Sequence, residues 1–297
     1  MNIGLRLHDA AGVTLEDRVR NARAQGFSCV HIAMSKVIPG FKMSDAPALL
    51  TPDLAQEVRD ILDRYGMTCV LLGCYLNLAS PDPAEHARTV EIYKAHLRFA
   101  RMIGASLVGT ETGAPNTGYK TCPECWTEES LQLFIDRVTP VVRYAEEVGQ
   151  PFAIEPVCRH IVSTPERCQR VLEAVDSPML RVILDAVNLL ERNNRLQADA
   201  IVADAIARLG SRTDLLHMKD YITENTPACE KAMAEVANTN MFDGLLSIAC
   251  GMGELNFAPL LALARERNIP MTLENTNPDN AEAARLHLEA LAARNSC

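Results

Sequence analysis

Short runs of β-branched and aliphatic residues alternate with longer segments of helical periodicity along the whole chain. The short runs have the length of buried strands, and the longer segments place their apolar residues on one helical face. This pattern predicts strands at residues 2–8, 28–34, 68–75, 107–111, 152–156, 181–187, 215–220 and 271–275. It predicts helices at residues 14–25, 53–65, 82–103, 128–148, 165–175, 197–209, 257–267 and 279–294.

Eight strands that are each followed by a helix predict a parallel α/β fold of the closed (β/α)8 type, a TIM barrel. An open doubly wound sheet would usually carry a glycine-rich fingerprint after the first strand, whereas this chain reads RLHDAAGVTLED there. Such barrels commonly hold about 250 residues in one domain, so we expect residues 1–297 to form a single domain. The longest connection, 221–253, is expected to contain a short helix at 231–237 and a short strand at 245–249.

Composition and charge narrow the class of protein. The chain is 48% hydrophobic and 23% charged, which is typical of a globular domain. Its net charge of -9, without a basic run, argues against nucleic acid as a partner. The longest apolar run, 69–79, is too short to span a membrane, and no signal-peptide pattern is present. We therefore expect a cytoplasmic protein without a membrane partner; the sequence is compatible with a homo-oligomer.

Cysteine spacing points away from both disulfides and structural zinc. Ten cysteines in a chain without a secretion signal are expected to be reduced thiols. Cys122 and Cys125 form a CxxC pair, but no second pair of Cys or His ligands stands at a comparable spacing. We expect two free thiols in a loop.

Polar residues end the last four predicted strands, where the active site of such a barrel forms. They are Glu155, Asp185, His217 and Glu274. Ionised carboxylates that follow apolar runs are costly to bury unless they are paired or bind a metal. A loop cap or a local ion pair would explain any one of them alone. Three converging carboxylates and one imidazole nearly balance a divalent ion, so the set predicts a site for one metal.

The motifs around these residues resemble the xylose isomerase-like barrel superfamily, in particular the sugar phosphate isomerases/epimerases, over nearly the whole chain. They are EPV with Glu155, LDAVN with Asp185, HMKD with His217, GMGELNF at 251–257 and TLEN with Glu274. The resemblance implies that the four residues bind one divalent ion. It also implies that Glu155 and Glu274 are the catalytic acid and base of an isomerase or epimerase acting on a sugar, keto-sugar or related polyol.

The ligand set and the strand ends indicate a cofactor and a substrate site. Oxygen-rich ligation suits Mn²⁺ best and also Mg²⁺ or Co²⁺. Such an ion would polarise a carbonyl and stabilise the enediolate left after removal of the α-proton. Candidate substrate-binding residues are Glu111, Arg159, His160, Asn188 and Lys219. The alternatives are an ion pair for Lys219 and a solvated loop for Arg159 and His160. Lining or packing roles are expected for His8, His31 and Asp220, and loop closure for Glu254.

Departures from the family leave several activities open. Ketose 3-epimerases carry Glu, His and Arg where this chain has Ile161, Asn188 and Thr223. A free-ketose 3-epimerase is therefore not favoured. One alternative is a lyase or dehydratase on the same site, of the inosose dehydratase or keto-glycoside β-elimination type. An apurinic-site endonuclease would need further His ligands where the chain reads GCY, GTE and Asn188. A non-catalytic sugar-binding subunit would be expected to have lost metal ligands, and all four are present.

Overall fold

The computed structural model describes residues 1–235 and 239–294, and within them eight parallel strands close into a barrel surrounded by helices. The strands are β1 (Ile3–Arg6), β2 (Cys29–Ile32), β3 (Thr68–Gly73), β4 (Leu107–Glu111), β5 (Phe152–Glu155), β6 (Leu180–Asp185), β7 (Thr213–Met218), β8 (Asp220–Thr223), β9 (Asn240–Phe242), β10 (Leu245–Ile248) and β11 (Met271–Leu273). The helices are α1 (Leu15–Ala24), α2 (Met34–Val37), α3 (Ala46–Leu49), α4 (Pro52–Arg64), α5 (Pro83–Ile103), α6 (Glu128–Val148), α7 (Pro165–Val175), α8 (Ala198–Leu209), α9 (Pro227–Glu235), α10 (Ala258–Arg267) and α11 (Ala281–Arg294).

The barrel closes because β1 pairs in parallel with both β2 and β11. Around the ring the order is β1-β11-β7-β6-β5-β4-β3-β2. Each predicted strand and helix overlaps one of these elements, and the bounds of α6 and α7 are the predicted ones. The predicted (β/α)8 TIM barrel is confirmed as the fold class.

Two apolar layers fill this fold. A small cluster inside the barrel is formed by side chains from β2 to β7, namely Cys29, Val70, Leu71, Leu107, Ala153, Ile183 and Leu215. A much larger core lies between the strands and the surrounding helices. A Cβ at Gly109 would lie 2.5 Å from Ile183 Cδ1 and 2.6 Å from Leu71 Cδ1, so any side chain there would displace these methyl groups from the filled interior. The interior of the barrel is therefore packed with apolar side chains.

Local sequence marks where the helices begin and end. Side-chain caps start several of them: Thr14, Thr51, Asp82, Thr127, Thr164 and Thr226 each accept from a backbone N–H of the first turn. Two long helices end on glycines in the left-handed region, Gly104 after α5 and Gly149 after α6. These local signals determine where the helices begin and end, and therefore where each connection to the next strand lies.

The main difference from prediction lies after β7. The strand predicted at 215–220 ends at Met218, and Asp220 instead begins β8, which pairs with β10 in an antiparallel sheet of order β8-β10-β9. The carboxylate of Asp220 accepts hydrogen bonds from the backbone N–H groups of Gly251, Gly253 and Leu255, at 2.9–3.1 Å. Asp220 is thus a buried anchor for the loop before α10, as its expected packing role implies.

The connection at 221–253 contains both the helix and the strand that were predicted there, although the helix begins earlier than predicted. The strand predicted at 245–249 is β10. The helix predicted at 231–237 is α9, which begins four residues earlier at Pro227 and is described to Glu235; positions 236–237 of that prediction lie outside the described residues. None of the described helices combines the length and the apolar character needed to cross a membrane.

The described cysteines, which exclude Cys297, are free. The Sγ atoms of Cys122 and Cys125 lie 3.8 Å apart in the loop between β4 and α6, as expected for two free thiols. The predicted reduced state is consistent with this geometry.

Candidate active site

Strand register brings the predicted site residues to one rim of the barrel. Glu111 at the end of β4 is aligned with Glu155 at the end of β5. Asp185 at the end of β6 is aligned with His217 on β7. Glu274 directly follows β11, where its backbone N–H donates to the carbonyl oxygen of Met218 at 2.9 Å. Because parallel strands end at the same edge, these residues converge.

Two overlapping groups of side chains among the described residues have their ligand atoms within 4.8 Å of one another. One group is Glu155, Asp185 and His217; the other is His31, His217 and Glu274. All four predicted ligands therefore take part, with His217 shared between the two groups. They do not form a single fourfold cluster, and His31, expected only to line or pack, joins them.

His217 is the centre of this arrangement. Its Nδ1 lies 3.1 Å from Glu155 Oε2 and 3.5 Å from Glu274 Oε1. Neither contact has hydrogen-bond geometry, and both ring nitrogens lack a hydrogen-bond partner among the described residues. Burial alone would lower the pKa of His217, but Glu155 and Glu274 outweigh it and raise the pKa to about 9. A buried imidazole with two unsatisfied nitrogens between carboxylates is a donor set that fits a divalent ion.

Lys219 supplies positive charge between two of the carboxylates. Its Nζ lies 2.8 Å from Asp185 Oδ2 and 3.5 Å from Glu274 Oε2. It also donates to Asn188 Oδ1 at 2.8 Å, while Asn188 Nδ2 donates to Glu155 Oε1 at 2.6 Å. Burial opposes the charged form of Lys219, yet Asp185 and Glu274 raise its pKa above the usual value. Lys219 thus forms the ion pair that was the alternative to substrate binding, and its partners are the candidate metal ligands Asp185 and Glu274.

Arg6 is a site residue that the sequence prediction missed. At the end of β1 its Nη1 lies 3.5 Å from Glu274 Oε1, and its Nε donates to Asp9 Oδ2 at 3.1 Å. Burial would raise the pKa of Glu274, but His217, Arg6 and Lys219 hold it well below the usual range. Arg6 escaped notice because the predicted first strand ran to residue 8. A strand of four residues would have placed it at the rim.

A cavity of about 390 Å³ opens over these groups. Glu155 and Glu274 line it, together with four of the five predicted substrate-binding residues, Glu111, Arg159, Asn188 and Lys219. Further lining residues are Arg6, His8, His31, Ala33, Ser35, Lys36, Met43, Gly73, Tyr75, Asn240 and Asn275. This volume and polar lining suit a small, oxygen-rich molecule.

The fifth candidate, His160, lies against Glu111 and is not one of the cavity-lining residues. Its Nδ1 is 3.6 Å from Glu111 Oε2, the hydroxyl of Tyr119 donates to the same oxygen at 3.4 Å, and Arg159 Nη2 is 3.8 Å from Oε1. Burial and then Glu155 raise the pKa of Glu111 to about 7, which Arg159 opposes. Since His160 is buried, the solvated-loop alternative does not hold for it.

The three positions at which the sequence departs from ketose 3-epimerases have different surroundings in the structure. Ile161 is fully buried, and its backbone N–H donates to Gly113 O. The backbone N–H of Thr223 donates to Glu254 Oε1 at 3.0 Å, so Glu254 closes the last loop as expected. Of the three, Asn188 alone lines the cavity.

Comparison with known proteins agrees with this architecture. The sequence profile described as xylose isomerase-like TIM barrel matches residues 19–294. No curated protein shows significant sequence similarity to the chain.

Solved structures share the fold at low identity. The probable 3-DHS dehydratase of petrobactin synthesis from Bacillus anthracis has a TM-score of 0.72 and 14% identity, covering 98% of both chains. D-psicose 3-epimerase from Clostridium cellulolyticum H10, solved with D-tagatose, has a TM-score of 0.70 and 16% identity, covering 98% of this chain and 99% of its own. The IOLI protein, solved with a zinc atom, has a TM-score of 0.63 and 14% identity, covering 100% and 96%. At these identities the likeness establishes the fold alone.

Proposed function

The chain belongs to the xylose isomerase-like TIM barrel family, and from this premise we propose that it is a divalent-metal-dependent isomerase or epimerase. Its substrate would be a sugar, keto-sugar or related polyol. One observation carries the proposal: Glu155 and Glu274, at the ends of strands on either side of β6 and β7, both line the cavity and both approach Nδ1 of His217.

The donor set supports a bound cation. The residues that would hold it are Glu155, Asp185, His217 and Glu274. Because the ring nitrogens of His217 have no hydrogen-bond partner among the described residues, one of them is free to bind such an ion. Three oxygen donors and one nitrogen favour Mn²⁺, with Mg²⁺ or Co²⁺ as further candidates. When bound, the ion would polarise a substrate carbonyl and offset the charge that develops as the neighbouring C–H is broken.

The carboxylates of the chain would move the proton. In an epimerisation one of Glu155 and Glu274 removes the proton next to the carbonyl, and the other returns a proton from the opposite face. Asn188 fixes Glu155 through its 2.6 Å hydrogen bond, while Arg6 and Lys219 flank Glu274. Lys219 also lines the cavity, where its ammonium group would attract the substrate oxygens.

The test measures proton exchange rather than a single product. Purified protein is analysed for metal and then incubated in D₂O with a panel of ketoses, keto-inositols and keto-glycosides. We expect deuterium at the carbon next to the carbonyl of the true substrate, without loss of water or alcohol. Glu274→Gln should abolish this exchange, whereas the control Glu254→Gln, in the loop before α10, should retain it. If Glu274→Gln keeps full exchange with metal bound, the assignment of Glu274 is wrong.

A lyase or dehydratase is the second candidate, and Glu111 is the observation that favours it. This third carboxyl group lines the same cavity, and its pKa of about 7 would let it protonate a leaving hydroxyl group. The B. anthracis protein of the same fold bears the name of a dehydratase. Release of water or alcohol from the panel, abolished by Glu111→Gln, would establish this activity instead.

A further inference from the structure

His31, on β2, lies at the edge of the proposed metal site but outside the predicted ligand set. It is 1% exposed, and its ring stacks on that of His217 with centroids 5.5 Å apart and planes at 9°. One of its ring nitrogens lies within 4.8 Å of ligand atoms of both His217 and Glu274. We infer that His31 is a further ligand of the divalent ion, an inference that rests on the metal site of the proposed function.

The two nitrogens of His31 are placed as those of a metal-binding imidazole usually are. Nε2 lies 3.2 Å from the hydroxyl oxygen of Tyr75, whereas Nδ1 is buried without a hydrogen-bond partner among the described residues. Ligating histidines commonly donate the N–H of one ring nitrogen to a neighbour, which leaves the lone pair of the other for the metal. Tyr75 is the residue that orients His31 in this way.

The backbone leaves room for this pair of rings. Gly73 ends β3, and a Cβ there would lie 2.6 Å from Nε2 of His31 and 2.6 Å from Cε2 of Tyr75. Any other residue at this position would displace one of the two side chains. Glycine at the end of β3 is therefore a structural requirement of the His31–Tyr75 contact.

A second imidazole would change which ions the site prefers. Carboxylates bind Mg²⁺ and Mn²⁺ well, whereas imidazole nitrogen favours ions later in the first transition row. Coordination by both His31 and His217 should therefore raise the affinity for Co²⁺ and Zn²⁺ relative to Mg²⁺. The same two nitrogens give a spectroscopic signature that does not depend on knowing the substrate.

The first measurement uses the wild-type full chain. Protein loaded with less than one equivalent of Cu²⁺ is studied by pulsed electron paramagnetic resonance, which counts the imidazoles bound to the ion. Two coordinated imidazoles are expected. One coordinated imidazole overturns the assignment of His31, even if the metal site itself is present.

The second measurement compares His31→Phe, which keeps a ring in the stack, with His8→Phe, a cavity-lining histidine outside both ligand groups. Calorimetric titration measures the affinity for Co²⁺ and Zn²⁺. We expect His31→Phe to lower this affinity about 100-fold or more, and Tyr75→Phe to lower it about 10-fold, as loss of an orienting partner does. His8→Phe should bind like the wild type.

The outcomes separate the two proposals. If His31→Phe binds Co²⁺ as tightly as His8→Phe while Asp185→Asn loses it, His31 is not a ligand and the proposed metal site stands. If neither His31→Phe nor Asp185→Asn changes binding, both proposals fail. If His31→Phe does not fold, the imidazole count and the Tyr75→Phe titration decide the question.

Discussion

The ammonium nitrogen of Lys219 lies 2.8 Å from Oδ2 of Asp185, and both side chains are almost completely buried. Lys219 directly follows β7, two residues beyond His217, and its side chain lines the cavity. Its contact with Glu274 extends the pair across to the end of β11. One lysine thus offsets carboxylates from two strands that would otherwise repel each other.

This position predicts that Lys219 and a divalent ion stabilise the same group of carboxylates. Lys219→Met should lower the free energy of unfolding by about 3–5 kcal/mol in the presence of a chelator, because it leaves a buried charge without its partner. Added Mn²⁺ should recover much of this loss, because carboxylates that have lost Lys219 bind a cation more strongly than they do in the wild type, and tighter binding to the folded state stabilises it more. Urea unfolding with EDTA and with Mn²⁺ measures both values, with Lys36→Met, an exposed cavity-lining lysine, as the control. An equal loss under both conditions would contradict the prediction.

The hydrogen bonds of Asn188 lead to a second prediction, which concerns catalysis rather than stability. It donates to Glu155 and accepts from Lys219, so it fixes the orientation of both charged groups. Asn188→Leu has a similar size but makes neither hydrogen bond. We expect proton exchange at the substrate carbon to fall about 10- to 100-fold, as for other partners that orient metal ligands. Binding of the ion that we propose, at one per chain, should be retained. Unchanged exchange in D₂O would mean that Glu155 needs no such support.

Asp220 predicts a structural role for the loop before α10. Removing its carboxylate in Asp220→Ala leaves three part-buried hydrogen bonds, from the backbone N–H groups of Gly251, Gly253 and Leu255, without their acceptor. We expect a loss of stability of about 3 kcal/mol, together with faster hydrogen exchange in 251–255. Asp199→Ala is the matched control, because Asp199 accepts one exposed hydrogen bond from Asn256 beside the same loop. Equal effects of the two substitutions would refute the anchoring role.

His96 predicts part of the response of stability to acid. Its side chain is fully buried in α5, and burial lowers its pKa to about 4, opposed by a contact from Nδ1 to the carbonyl oxygen of Ile92. The unfolded chain therefore binds a proton at this residue before the folded chain does. The resulting stability is complete above the unfolded pKa near 6.5 and is lost as the pH falls through about 4.

His96→Leu should therefore flatten the pH dependence of the free energy of unfolding between pH 6.5 and 4. The expected difference across this window is on the order of 3 kcal/mol, from a pKa difference of about 2.5. Urea unfolding at a series of pH values measures it. His287→Leu, at a partly buried histidine of α11, is the control. A slope like that of the wild type in His96→Leu would show that His96 does not titrate in this way.

The barrel was predictable because each of its parts is encoded locally. Buried parallel strands appear as short apolar runs, and helices such as α6 carry a threonine cap before them and a glycine after them. The antiparallel sheet after β7 was less predictable, because Asp220 follows β7 closely in the sequence but belongs to a different sheet in space. Nothing in a local pattern reveals which of two sheets a short strand will join.

The site was predictable where one rule applied to several strands. Glu155, Asp185, His217 and Glu274 all stood at predicted strand ends, and the structure gathers them around the imidazole of His217. Arg6 was missed because the first strand was predicted to extend to residue 8. His31 was predicted only to line or pack, because a single histidine in an apolar run is usually a packing residue. Their importance depends on neighbours that are distant in the chain.

The sequence by itself determined the (β/α)8 order of elements and the rim at which carboxylates and an imidazole accumulate, because strand period, helix period and capping are properties of neighbouring residues. Only the tertiary structure decided which side chains share the site. Closure of β1 onto β11 brings Arg6 to Glu274, and Gly73 at the end of β3 allows His31 to stack on His217. Arg6 and Glu274 are far apart in the sequence, as are His31 and His217, so these contacts arise from the packing of the barrel and from no local pattern.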